Sequence, residues 1–130
     1  MVNVPARDAL LRLGEKYQLT RVGEGLKPIA DSLAREGIEV NVASLPCLEW
    51  FDEQEASYRD SVIRPDVRPR VAVEAGSTIG WHRYVGDDGA VVGVDHFGAS
   101  GDASRLFSEF GVTADAVADA TRRVVAAHSS

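Results

Sequence analysis

The segment Arg70-Val-Ala-Val-Glu-Ala-Gly-Ser-Thr-Ile-Gly-Trp81 leaves few folds open to the rest of the chain. Val71, Ala72 and Val73 have the composition of a short buried strand. Gly76 carries no Cβ and tolerates φ > 0, so the chain can turn sharply there. Ser77 or Thr78 then stands where a hydroxyl caps a helix carrying Ile79, Trp81 and Tyr84. A strand, a glycine turn and a capped helix form the repeating joint of an α/β sheet. Ligands of such sheets gather at the carboxyl ends of strands, which makes the neighbourhood of Glu74 the first place to look for function.

The segments on either side carry the same alternation. Residues 1–5 read as a frayed arm, and residues 6–16 have helical spacing through Ala6, Leu10, Leu11 and Leu13. Residues 17–22 suit a short strand, and Gly23-Glu-Gly25 breaks the pattern. Residues 26–36 read as a helix with Pro28 in its first turn, Ile29, Ala30, Leu33 and Ala34 on one face, and Gly37 as its C-terminal cap. Residues 38–45 alternate apolar and polar side chains, as a strand with a partly covered face does. Residues 48–63 are mostly helical, with an interruption at Asp52 or Glu53. After a polar glycine turn at residues 85–89, Ala90-Val-Val-Gly-Val94 is apolar enough for a strand buried on both faces. A loop follows over residues 96–102, then a short helix over 103–110 with Leu106, Phe107 and Phe110 inward. Gly111 ends that helix, and Thr113 caps a last one with Val117, Ala120, Val124 and Val125 on its apolar side. Helix and strand alternate throughout, which predicts a small, mostly parallel sheet covered by helices.

A chain of 130 residues corresponds to one domain. Its net charge of −6 excludes the clustered basic surface of a nucleic-acid binder. No apolar run approaches the roughly 20 residues that span a bilayer. The single cysteine, Cys47, excludes an internal disulfide. The first residues show neither a basic n-region nor a long apolar h-region, so the expected compartment is the cytoplasm.

Groups able to carry chemistry are sparse. His82, His96 and His128 lack ligand spacing, so no metal site is expected. Asp95, His96 and Ser100 contain the residue types of a hydrolytic triad, but only geometry recognises a triad, and Gly98-Ala-Ser-Gly101 is one residue short of a nucleophile elbow. Cys47 opens a helix, where a thiol can be activated or simply packed. The backbone N–H groups of the loop at Gly98, Ser100 and Gly101 are a candidate anion site. The acidic cluster Glu49, Asp52, Glu53 and Glu55 reads as a solvated helix face. Trp50, Phe51, Trp81 and Tyr84 are either core or a subunit or domain interface, since interfaces concentrate such side chains. No self-contained catalytic constellation emerges, which fits a module of a larger assembly.

Several motifs point to one family. Ser44-Leu-Pro-Cys-Leu-Glu-Trp-Phe-Asp-Glu-Gln54, Tyr58-Arg-Asp-Ser-Val62, Val71-Ala-Val-Glu-Ala-Gly76 with Gly80-Trp81 and Tyr84-Val-Gly86, and His96-Phe-Gly-Ala-Ser100 with Leu106-Phe-Ser-Glu-Phe-Gly111 and Thr113 follow each other in order. Together they resemble the C-terminal domain of transketolase. The match runs over residues 38–125 within a domain of residues 17–130. Residues 1–16, an N-terminal arm and helix, match less. Ahead of Gly37 the chain departs from the family, with Leu19-Thr-Arg-Val-Gly-Glu-Gly25 where a hydrophobic strand and a Gly-Ser-Glu-Val-like turn usually stand.

The resemblance implies a three-layer α/β/α fold with a small, mostly parallel mixed sheet. It implies a dimeric parent enzyme of the pentose phosphate pathway that moves a two-carbon ketol unit between sugar phosphates. That parent uses thiamine diphosphate and Mg²⁺, held by other domains. No catalytic, cofactor-binding or metal-binding residue is carried onto this sequence, and the chain alone is expected to bind no cofactor and to be inactive. Its implied partners are the remaining transketolase domains or a second subunit, with neither nucleic acid nor membrane. The alternative is a stand-alone module, derived from that domain, that binds a small anion or regulates.

Overall fold

The computed structural model describes residues 2–3 and 20–129. The helix expected over residues 6–16 and the first part of the strand expected over 17–22 lie outside them. The chain divides into two compact units, Met1–Val67 and Arg68–Ser130.

In the first unit, strand β1 (Val2–Asn3) pairs antiparallel with β2 (Asn41–Val42), Val2 opposite Val42 and Asn3 opposite Asn41. Two residues of the expected frayed arm, Val2 and Asn3, therefore form a strand. Helix α1 (Thr20–Arg35) packs on β2 and begins well before residue 26. Gly23, Gly25 and Pro28 all lie within it. Each glycine costs a helix about 1 kcal/mol, and Pro28 removes one N–H from the ladder, but neither forbids the helix. Burial of Ile29 and of Leu33, which is 0% exposed, supplies the compensating packing. Ala34 stays exposed. As expected, Gly37 closes α1 at φ 84°: its N–H donates to Ala34 O (3.0 Å) and that of Ile38 to Leu33 O (2.9 Å). The helical stretch after Pro46 is split where anticipated, into α2 (Leu48–Asp52) and α3 (Ala56–Val62), with Phe51 and Val62 buried.

The second unit holds the parallel pair. Strand β3 (Arg70–Val73) runs alongside β4 (Ala90–Val92) with Val71 opposite Ala90 and Val73 opposite Val92. Val71 and Ala72 are buried, whereas all of β4 is half-buried rather than covered on both faces. A parallel register requires a crossover, which the β3–helix–β4 connection supplies, as the alternation predicted. Between the strands stands α4 (His82–Val85), which packs on both. It starts later than expected, with Trp81 at its N-cap and no side-chain cap. The positive φ also falls at Gly80 (92°) and not at Gly76. Helix α5 (Ala103–Glu109) follows the loop after β4. Leu106 and Phe110 are half-buried there, but Phe107 is exposed, against expectation. Helix α6 (Ala114–His128) lies against both strands with Val117, Ala120, Thr121 and Val124 buried. The α/β class with its small sheet is as the sequence predicted.

Candidate functional site

The carboxyl ends of β3 and β4 form a tightly bonded junction. The strand pairing continues past the strands themselves: Glu74 N–H donates to Val92 O (2.9 Å) and Val94 N–H to Gly76 O (2.7 Å). Beyond that, Thr78 donates twice to Asp95, from its amide to Oδ1 (2.8 Å) and from its hydroxyl to Oδ2 (2.7 Å). The Thr78 amide, then the Thr78 hydroxyl, hold the Asp95 carboxyl below the usual aspartate range. Ser77 and the charge of His82 act in the same direction, against desolvation. Ser77 Oγ accepts from Ile79 N–H (3.2 Å), so the hydroxyl expected to cap a helix closes a turn instead. Gly93 lies under this loop, where no Cβ would fit.

The following loop is anchored at both ends. The His96 ring stands edge-on to Phe110, the C-cap of α5, centroids 4.6 Å apart. Asp102 caps α5 by accepting from Arg105 N–H (3.1 Å) and from the Ser104 hydroxyl. The Ser104 hydroxyl, then the Arg105 amide, hold the Asp102 carboxyl below its usual range. Gly98, Ser100 and Gly101 are exposed between these anchors, Gly98 in open space and Gly101 near Leu106. Residues 96–102 hold no lysine or arginine to attract an anion there, and the amide of Arg105 is already engaged.

Other candidates are drawn into structural roles. Asp95 turns to Thr78 and His96 to Phe110, which leaves Ser100 without an activating pair. The Cys47 thiol donates to Glu49 Oε2 (3.5 Å) and faces a carboxylate, not a cationic base. His128 engages Val124 O through Nδ1 (2.8 Å). Among the described residues, no group of three or more His, Cys, Asp or Glu side chains is placed to hold a metal ion. Nor is any helix among them long and apolar enough to cross a membrane.

The four large aromatic side chains singled out from sequence part company. Phe51, Trp81 and Tyr84 are buried, the last two with ring centroids 5.8 Å apart and the Arg83 guanidinium over the Tyr84 ring. Trp50 is 67% exposed. Two more exposed apolar side chains, Ile79 (86%) and Phe97 (97%), escaped the sequence reading. Ile79 looked like a helix face residue, and the only signal at Phe97 was its place between His96 and a glycine.

A family model described as "Transketolase-like TK C-terminal domain" matches residues 20–113. The chain is 46% identical over 116 residues to the transketolase of Mycobacterium tuberculosis, an alignment covering 89% of this chain and 16% of that protein. To the chloroplastic transketolase of Solanum tuberosum it is 43% identical over 116 residues, covering 85% of this chain and 16% of the relative. The solved transketolase of Leishmania mexicana superposes with a TM-score of 0.66 at 36% identity, over 78% of this chain and 14% of that one. The chain thus spans about one sixth of the length of the curated relatives it matches.

Proposed function

Since the chain belongs to the transketolase family, by its C-terminal domain, we propose that it serves as the non-catalytic, assembly-supporting domain of an enzyme that transfers two-carbon ketol units between sugar phosphates. The observation that carries this reading is the family match over residues 20–113 against relatives of which the chain spans only 16%. Thiamine diphosphate and Mg²⁺ belong, on this reading, to the other domains of the parent, and the cofactor supplies the carbanion chemistry when bound there. The residues of this chain support the division of labour: Asp95 and Asp102 spend their carboxylates on holding loops, and the His96 ring packs on Phe110. The parent is a dimer, with the other domains or a second subunit as partners. Its compartment is taken as cytoplasmic from the chain's ordinary acidic composition, although the potato relative carries a chloroplastic name.

The test is a splice. Residues 20–130 replace the matching region of the M. tuberculosis transketolase, and ketol transfer from xylulose 5-phosphate is followed. The expected result is an active splice and an inert 130-residue chain. Turnover by the chain alone, or a folded splice without activity, would sink the proposal. The alternative module, binding a small anion at Gly98, Ser100 and Gly101, has no lysine or arginine within residues 96–102 to support it. Saturable phosphate shifts at those amides would revive it.

A further inference from the structure

The end of α6 carries a buried ring nitrogen without a partner. His128 is the last residue of that helix, and its side chain is 18% exposed. Its Nδ1 lies 2.8 Å from Val124 O. A carbonyl oxygen accepts and never donates, so Nδ1 carries the proton. In the neutral ring Nε2 then holds a lone pair and no hydrogen. That atom is buried and makes no hydrogen bond. Facing it at 3.8 Å is Asp88 Oδ2, from the turn ahead of β4. A lone pair set against a carboxylate is a poor contact, and a buried polar atom left unpaired costs stability.

The charges around the ring decide what a second proton does there. Asp88 Oδ2 also accepts from Arg68 Nη2 at 3.2 Å, and a carboxylate has lone pairs for both partners. Asp87 adds a second negative charge to the same turn. Helix α6 packs on β3 and β4. The cation of β3 is Arg70, whose Nη1 donates to Tyr84 O (2.9 Å), and β4 carries no charge. On α6 itself, Arg122 pairs with Asp119 at 2.7 Å, and Arg123 is exposed. The carboxyl end of a helix favours a cation, because its last carbonyls are the negative pole of the macrodipole. Burial and the arginines oppose a proton on Nε2, whereas Asp88, Asp87 and the helix end favour it. Asp88 is the charge that stands at Nε2 itself, and a shift of about 1 Å brings the two into hydrogen-bond range, so the carboxylate prevails.

We propose that His128 and Asp88 form an acid-tightened clasp. A proton taken up at Nε2 turns the 3.8 Å contact into a charge-assisted hydrogen bond that pins the end of α6 to the turn before β4. The unfolded chain presents neither the facing carboxylate nor the helix carbonyls, so the proton stabilises the fold. That stabilisation is present on the acid side of the imidazole range and is lost as pH rises through it. The direction is opposite to that of Asp95, at the other end of β4, whose contribution is lost on acidification. The clasp is built from this chain's own residues and does not rest on the assembly reading above.

The test is a double-mutant cycle of His128→Gln and Asp88→Asn in the 130-residue chain. Urea unfolding is read at about pH 8 and about pH 5.5, on either side of the imidazole range. The cycle cancels the loss of the Arg68 pair that Asp88→Asn brings with it. At the lower pH the coupling between the two sites is expected to raise the folding equilibrium constant by about threefold or more, and at the higher pH to vanish within error. A coupling that does not grow on acidification, or that changes sign, overturns the clasp. The unsubstituted protein supplies a second readout. Imidazole nitrogen NMR at the lower pH should show a proton on His128 Nε2 that exchanges slowly with solvent. A ring that stays neutral there, or an Nε2 proton that exchanges freely, overturns it as well.

Discussion

Gly93 has no room for a side chain. A Cβ there would lie 2.8 Å from Thr78 Cγ2 and 3.0 Å from Gly76 O. Gly93→Ala must push the loop off the strand end, and is expected to cost about 1–3 kcal/mol, read from the urea midpoint of the isolated chain. An unchanged midpoint would mean that the loop does not pack there. Nothing next to Gly93 in the sequence announces this, because the atoms that exclude a Cβ belong to residues 76 and 78. Asp95, at the other end of the same contact, makes a pH prediction. Its native carboxyl sits below the usual range, so the unfolded chain takes up the proton first on acidification. The stabilisation from Asp95 is thus fully present above the unfolded value and is lost as pH falls through the native one. A carbon-detected titration should place the Asp95 midpoint below that of a peptide aspartate, and Thr78→Val should raise it part of the way, since the amide remains. A midpoint indifferent to that substitution would detach Thr78 from the effect.

Helix ends were the most legible elements. Gly37 after α1 and Thr113 before α6 could be read directly, because capping involves residues within a few positions of each other. Thr113 Oγ1 accepts from Ala116 N–H at 3.2 Å, so Thr113→Ala should cost about 1 kcal/mol in urea denaturation, with Thr113→Ser recovering most of it. If alanine leaves stability unchanged, that bond contributes nothing. The start of α1 was illegible for the opposite reason. Gly23, Gly25 and Pro28 argue locally against a helix, and only packing of its apolar face against β2 decides the matter. Leu33→Ala is accordingly expected to destabilise by about 2–5 kcal/mol. Residue 77 shows the same limit: a serine before a helix resembles a cap, yet its hydroxyl closes the turn onto Ile79.

For the whole molecule, the aromatic side chains give the sharpest contrast between the two levels. Phe97→Ser should leave the stability of the isolated chain within about 0.5 kcal/mol, because the ring is 97% exposed, whereas Trp81→Ala at 6% exposure should cost about 3–5 kcal/mol. Comparable losses for both would contradict the assigned burial. From sequence, Trp50, Phe51, Trp81 and Tyr84 formed one group, with core packing as the default and an interface as the alternative. The amino-acid sequence by itself determined the α/β class, the caps at Gly37, Gly111 and Thr113, the break after Asp52 and the family, since these rest on short-range spacing and ordered motifs. Only the tertiary structure decided that Phe51, Trp81 and Tyr84 go inside while Trp50, Ile79 and Phe97 stay out. It also turned Asp95 from a catalytic candidate into a clamp on Thr78. Burial and hydrogen-bond partnership depend on which distant segments come together, and that information is carried by no single stretch of chain.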